Sequence, residues 1–331
     1  MDGSTTALTP GTKLRGGDYR VVRTIGRGGF SIVYEATTRR GDTVAIKELF
    51  PPDARRRSFF GLWQRNTVKH TRDWVDLTAS IRAEFQLVKT LRHPNIVRVI
   101  ELFSENGTLY LVMEYLPGTT LHQHLSEHRR GDKAGLSEAD ATIVASAMAD
   151  ALSYAHAKGV IHRDVKPNNI LVGSDGRIVL LDFGIARKYR RGEARTRAGT
   201  EHYMAPEQLD GIGQTKLVDV YGLAATIHYL LTGAAPPSVE ARRRGERLVP
   251  VDEVAPHLSA AAAAAVLHGL ALDSEARTPS TTAFAEEFRG TPIALARFDA
   301  RTEARRSLSR SLIIVALAVA LAAAGWLLFP R

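Results

Sequence analysis

Two short segments hold the chain's most reactive combination of side chains. They are His162-Arg163-Asp164-Val165-Lys166-Pro167-Asn168-Asn169 and, a little further on, Asp182-Phe183-Gly184. A carboxylate such as Asp164 can accept a hydrogen bond from a hydroxyl and orient it for in-line attack. Lys166, two residues on, can offset charge developing on a transferred phosphoryl group. Asn169 offers an amide oxygen and Asp182 a charged one, the hard ligands that magnesium prefers, with phosphates and waters completing its shell. A general base, a lysine and two metal-binding oxygens on separate loops make a set suited to phosphoryl transfer.

Two upstream segments fit the same chemistry. In Ile25-Gly26-Arg27-Gly28-Gly29-Phe30-Ser31-Ile32-Val33-Tyr34, glycines between two strand-like stretches let backbone amides approach phosphate oxygens without a Cβ in the way. Taken alone, this is equally a plain hairpin turn. Val44-Ala45-Ile46-Lys47 then places a lysine in an apolar strand, where it is costly to desolvate unless it meets an anion. Phosphate oxygens and a carboxylate would supply one, and Glu84 is the best-placed carboxylate. The alternative is a lysine at a strand edge and a glutamate facing solvent.

The elements that must position these groups are legible in outline. Around glycines, Tyr19 to Ile46 alternates β-branched and polar residues and reads as short strands. Ile81, Phe85, Val88 and Leu91 share a helical spacing, which predicts a helix over 75–92. Strands are expected at 96–100 and 110–113, with Asn106-Gly107 as the hairpin turn between them. Ser137 is expected to cap a long helix running to about Lys158, with Gly159 just past its end. Short strands follow near Ile170–Val172 and Ile178–Leu181, and from Asp219 the pattern is mostly helical, including the alanine run 260–265. A strand-rich lobe with one helix therefore precedes a helix-rich lobe.

With these motifs in this order, the sequence resembles the eukaryotic-type (Hanks-type) serine/threonine protein kinases, in the membrane-anchored branch found in bacteria, over roughly Tyr19 to Gly290. The resemblance implies an α+β, two-lobed protein-kinase fold with ATP in the cleft between lobes, Mg2+ (or Mn2+) as the metal and protein hydroxyls as acceptors. It implies a phosphate-covering role for the glycine stretch from Ile25 to Val33. Lys47 would hold the α/β-phosphates and pair with Glu84. Asp164 would be the catalytic base, Lys166 would contact the γ-phosphate, and Asn169 and Asp182 would hold the metal. Val33, Ala45 and Leu171 match adenine-sandwiching positions, and Met113 guards the back of the pocket. Glu114 and Leu116 lie on the hinge. Ala205-Pro206-Glu207 closes the activation segment, Arg277 matches the partner of Glu207, and Asp219 matches a buried aspartate that braces the catalytic loop. The third glycine of the loop pattern is Ser31, Asp219 continues as Val220-Tyr221-Gly222, and the stretches 50–75 and 234–250 exceed the minimal fold.

Lys166 and Thr200 resemble the serine/threonine branch rather than the tyrosine-specific one. Arg163, just before the catalytic aspartate, could be neutralised by a phosphate that orders the activation loop. Within 185–198, Thr196 is the best acceptor, which predicts autophosphorylation there, for which a homodimer phosphorylating in trans is a partner expectation.

The 331 residues, 44% apolar and 24% charged, suit one large or two smaller folded units. Without cysteine, disulfides and thiolate metal sites are excluded. The net charge of +9 does not by itself choose between nucleic acid, an anionic membrane surface and an acidic substrate, and the motifs make nucleic acid an unexpected partner. Arg55 to Arg72 is basic with interleaved aromatics and reads as a solvated, partly packed insertion before the helix, the alternative being a docking surface for nucleic acid or an acidic partner. Residues 1–17 read as a flexible leader without a cleaved signal, 18–116 as the small lobe, 117–290 as the large lobe and 291–311 as a basic juxtamembrane segment. Leu312 to Phe329 is an unbroken apolar run. Eighteen residues in a helix would span about 27 Å at ~1.5 Å each, close to a hydrocarbon core of about 30 Å. Arg297, Arg301, Arg305, Arg306 and Arg310 precede it, the pattern of a cytoplasmic flank. The expectation is a single-pass helix over 312–329 in the cell membrane, with the folded lobes on the cytoplasmic side.

Overall fold

The computed structural model describes residues 7–28, 31–50, 55–56, 63–64, 71–129, 135–183 and 200–291. Outside them lie Gly29, Phe30, Gly184, Thr196, most of the basic insertion and the apolar run Leu312 to Phe329. Among the described residues, no helix is long and apolar enough to cross a membrane.

The chain begins with strands β1 (Lys13–Leu14), β2 (Tyr19–Gly28), β3 (Ser31–Thr38) and β4 (Thr43–Leu49). Two-residue strands β5 (Arg55–Arg56) and β6 (Trp63–Gln64) pair with each other, and helix α1 follows (Thr71–Val88). Strands β7 (Val99–Glu105) and β8 (Thr108–Glu114) complete an antiparallel sheet ordered β1-β2-β3-β4-β8-β7. Asn106 and Gly107 join β7 to β8 with φ of 52° and 73°, the two positive values that a tight hairpin turn demands.

Strand pleating decides what faces the cleft. On β4, Val44 and Ile46 enter an apolar cluster on one face, with Leu14, Val21, Tyr34 and Val112. Ala45 lies on the other face, clustered with Val97, Met113 and Val179. Side chains alternate along a strand, so Lys47 shares the Ala45 face and Glu48 the opposite one. Glu48 is fully buried there, its carboxylate accepting from the hydroxyls of Tyr34 (2.7 Å) and Tyr110 (2.9 Å).

Residues 7–17 correct the reading of a flexible leader. β1 pairs with β2, Leu8 and Leu14 are buried in the cluster around Tyr34, and the Leu8 N–H donates to the Tyr34 hydroxyl at 3.1 Å. Two apolar residues in an otherwise small, polar stretch were enough to cover that face. Two boundaries also differ. α1 ends at Val88, and Leu91 is buried from the following turn, because His93 precedes Pro94, a position that disfavours helix. Ile96 precedes β7 and bridges Leu180, with Val97 N–H donating to the Leu180 carbonyl at 3.0 Å, so this stretch ties the small lobe to the large one.

The large lobe opens with β9 (Gly118–Thr120), α2 (Leu121–Arg129) and α3 (Glu138–Ala157). Ser137 caps α3 by accepting from the Asp140 N–H. Strands β10 (Ile170–Gly173) and β11 (Ile178–Leu180) form a small sheet with β9, in the order β11-β10-β9. Then come α4 (Pro206–Asp210), α5 (Leu217–Thr232), α6 (Val239–Arg243), α7 (Val251–Val254), α8 (Ala260–Gly269) and α9 (Thr281–Phe288). Every residue of α5 from Val218 to Thr232 is buried, as expected of a helix apolar on all sides. It is the central post of this lobe, and the catalytic motifs are built against its N-terminal end.

Candidate active site

Asp219, in the first turn of α5, is fully buried. Its carboxylate accepts from the backbone N–H of His162 at 2.8 Å and of Arg163 at 2.7 Å, and contacts His156 Nε2 at 2.7 Å. These bonds satisfy a charge that would otherwise be costly to bury. They also fix the loop where Arg163 takes a left-handed φ of 63°. One turn along α5, a Cβ on Gly222 would stand 2.9 Å from the Val165 carbonyl oxygen. The loop therefore lies directly on the helix, and the departure Val220-Tyr221-Gly222 serves that close approach.

Within the loop the predicted groups converge. Asp164 Oδ1 lies 3.1 Å from Lys166 Nζ, which in turn lies 3.4 Å from the Thr200 hydroxyl. The Asn169 amide nitrogen donates to the Asp164 carbonyl at 2.8 Å, so its amide oxygen is the atom that could bind a metal. The Leu181 N–H donates to the Asn169 carbonyl at 2.8 Å, bringing Asp182 alongside. His162 joins the two loops. Burial holds its imidazole below the ordinary histidine value, so the ring is neutral at pH 7. The neutral ring then donates from Nε2 to the Leu181 carbonyl (2.7 Å) and accepts at Nδ1 from the Asp164 N–H (3.2 Å).

The expected pair of Lys47 and Glu84 is not the one present. Lys47 Nζ contacts Asp182 Oδ1 at 2.8 Å, while Glu84 Oε1, on α1, meets Arg163 at 3.2 Å. An apolar cavity lies beside the first of these pairs. It is lined by Ile81, Phe85 and Val88 of α1 and by Leu49, Leu111 and Met113 of the sheet, with Lys47, Asp182 and Phe183 also on its wall. It lies between α1 and the sheet, beside Lys47 and Asp182. The lysine sits on the carboxylate expected to hold a metal, and the glutamate sits on the arginine expected to receive a phosphate.

The glycine stretch is the β2–β3 hairpin, with Gly26 opposite Val33 and Gly28 opposite Ser31. Ile25 and Arg27 lie on β2. Val33 pairs with Lys47 across β3 and β4, on the cleft face, and Ala45 pairs with Met113. Ile32 is corrected: it is buried in the cluster on the opposite face with Tyr34, so only its backbone can serve the cleft. Leu171 is buried in β10, and Leu116 packs against the Ala45 and Met113 cluster. The Glu114 carboxylate accepts from the Arg98 N–H at 2.7 Å, fixing the connection between lobes.

Beyond the loop, Arg277 is wholly buried and grips both carboxylate oxygens of Glu207 at 2.6 and 3.1 Å. Gln208 was not singled out from sequence, yet it accepts from the Ala205 N–H at 3.0 Å and donates to the Arg163 carbonyl at 2.9 Å. His156 was also missed. Only the fold, which sets α3 beside α5, brings it to Asp219.

The protein kinase domain family matches residues 19–253. Aurora/IPL1-related protein kinase 2 of Caenorhabditis elegans is 33% identical over 234 residues, 70% of this chain and 69% of that one. The probable serine/threonine-protein kinase PknB of Lactococcus lactis subsp. lactis is 34% identical over 223 residues, 66% of this chain and 32% of that one. Among solved structures, the apo form of PpkA-294 superposes with a TM-score of 0.72 at 27% identity, covering 86% of this chain and all of that one.

The neutral His162 ring makes the site sensitive to acid. Its folded pKa is lowered by burial, whereas in the unfolded chain it titrates near 6.5. Below about pH 6.5 the unfolded state therefore binds more protons and stability falls with pH. Urea midpoints measured from pH 7.5 to 5.5 should decline, and the decline should be smaller in His162→Gln. Equal slopes for the two proteins would contradict this assignment.

Proposed function

The chain belongs to the protein kinase family, in its serine/threonine branch, and on that premise we propose that it transfers the γ-phosphoryl group of ATP to serine and threonine hydroxyls of proteins. The observation that carries the reading is the convergence of Asp164, Lys166 and Thr200 within a chain of 3.1 and 3.4 Å contacts, with Asn169 and Asp182 beside them. Asp164 accepts the hydroxyl hydrogen and aims the oxygen. Lys166 meets charge on the moving phosphoryl group, and Lys47 holds the phosphates behind it. The Asn169 amide oxygen and the Asp182 carboxylate would hold Mg2+, which would neutralise phosphate charge when bound.

Activation follows from the charge pairs. A phosphate on Thr196, placed there by a second copy of the chain, takes Arg163 from Glu84 through stronger charge-assisted bonds. Glu84 is then available to Lys47, and Lys47 leaves Asp182 to the metal. The cavity beside α1 provides the room for that exchange.

The second part of the proposal concerns location. The apolar run Leu312 to Phe329 and the arginines before it support a membrane-anchored enzyme with its lobes on the cytoplasmic side.

Two experiments check this reading. Purified chain with Mg-ATP should phosphorylate a generic protein substrate on Ser and Thr and should itself carry phosphate at Thr196 by peptide mapping. Asp164→Asn should lower transfer by about 100-fold or more, the range of a lost general base. An active preparation without phosphate at Thr196 contradicts the activation scheme, and undiminished transfer by Asp164→Asn contradicts the catalytic one. In cells the chain should sediment with membranes and lose that property when 312–329 is deleted. Recovery of the intact chain in the supernatant contradicts the anchor.

A further inference from the structure

One face of the small lobe carries positive charge that the transfer chemistry does not use. Lys13 on β1 lies directly opposite Arg20 on β2, Arg20 opposite Thr37 on β3, and Thr37 opposite Thr43 on β4. Directly paired residues point to the same side of a sheet, so the four form one row. Thr43 lies two residues before Ala45, so the row continues the cleft face of the sheet out to the edge strand β1. Lys13, Arg20 and Thr43 are exposed, as is Arg40 in the turn that joins β3 to β4. Like charges directly opposite one another destabilise a sheet. The neighbouring arginines are neutralised within the chain. Arg39 meets Asp18 at 3.0 Å, Arg23 meets Glu35 at 2.6 Å, and Arg15 meets Glu101. Asp42 accepts from the Thr38 hydroxyl at 3.4 Å. Among the described residues, Lys13, Arg20 and Arg40 have no ion pair of this kind. Between Arg20 and Arg23 the strand bulges, and Val22 there adds an apolar side chain that is 38% exposed.

Cations, hydroxyl donors and one apolar side chain are thus spread across adjacent strands, an arrangement that fits an extended anionic surface better than a single small ligand. The anchor proposed above would keep such a surface in reach. About 20 residues lie between Thr291 and Leu312, and at ~3.3 Å each they extend to at most about 66 Å. A fold of this size is about 50 Å across, so any of its faces can meet the bilayer. The cytoplasmic leaflet, on whose side the arginine flank would place the lobes, is the anionic one. Resting on that anchored reading, we propose that the face bearing Lys13, Arg20 and Arg40 docks on the anionic lipid headgroups of the membrane. Each basic residue near such a surface favours the docked state by about fivefold, so three favour it by about 100-fold. Val22 then meets the boundary between headgroups and acyl chains, where an apolar side chain beside basic ones is favoured.

The chain has no cysteine, so Thr43→Cys and Ile212→Cys each accept a single fluorophore. The first lies on the basic face, and the second is a control on the large lobe, 74% exposed. The labelled full chains are placed in nanodiscs that carry a headgroup quencher, made of phosphatidylcholine alone or mixed with phosphatidylglycerol. Phosphatidylglycerol should raise the quenching at position 43 by about twofold or more and leave position 212 unchanged. Lys13→Glu combined with Arg20→Glu should remove that rise. Lys13→Gln combined with Arg20→Gln should shrink it and introduces no new charge, so it supplies the comparison if the first pair folds poorly. Phosphorylation of a soluble protein substrate in detergent should be unchanged by either pair, which separates lost docking from a lost fold. Equal quenching at position 43 in both kinds of disc, a rise at position 212 instead, or a rise that survives charge reversal overturns the docking. A chain that does not co-purify with the discs contradicts the anchor itself and the docking that rests on it.

Discussion

The buried carboxylate of Asp219 holds the site together. It sits at the start of the most deeply buried helix and accepts from two consecutive backbone N–H groups of the catalytic loop. Those donors would otherwise be unsatisfied in the interior, and the carboxylate would be an uncompensated charge. Each solves the other's problem, and the solution fixes the backbone conformation at Arg163. From there the order spreads outward. His162 carries it to Leu181 and so to Asp182, Gln208 carries it from the Arg163 carbonyl to the turn below Thr200, and Arg277 ties Glu207 to the base of the lobe.

Against that fixed frame, four charges are arranged in a way that does not favour transfer. Lys47 lies on Asp182 and Glu84 on Arg163. All four side chains are partly exposed, so neither pair is a large reservoir of stability. In the activation scheme proposed above, a phosphate or a metal would decide between these pairings and the one between Lys47 and Glu84. The apolar cavity beside α1 lies next to both Lys47 and Asp182, with Ile81 and Phe85 already buried on its wall.

How legible this was in sequence depended on range. The loop around Asp164 is local, and its residues meet through contacts within a few positions, as Asn169 does with Asp164. The hairpin at Asn106-Gly107 and the cap at Ser137 are local too, and both were readable. The orientation of Ile32 was also available, since it shares a pleat with Tyr34 and alternates with Val33. What could not be read were outcomes decided by distance between elements. Glu84 lies on one face of a helix whichever cation it meets, and only the fold sets Arg163 beside it. Leu8 and Leu14 gave no periodic signal, yet the sheet face they cover needed covering. His156 looked like an ordinary helix residue until α3 was set beside α5.

On the reading proposed above, these separated motifs form one phosphoryl-transfer site whose charges re-pair once Thr196 is phosphorylated and the metal and nucleotide are bound. A crystal structure of the Thr196-phosphorylated chain with Mg2+ and a non-hydrolysable ATP analogue tests it most directly. The account predicts metal ligated by Asn169 and Asp182, Lys47 on the phosphates and within 4 Å of Glu84, and Arg163 on the phosphothreonine. Nucleotide bound with Lys47 still on Asp182, Glu84 still on Arg163 and no metal at Asn169 would contradict it.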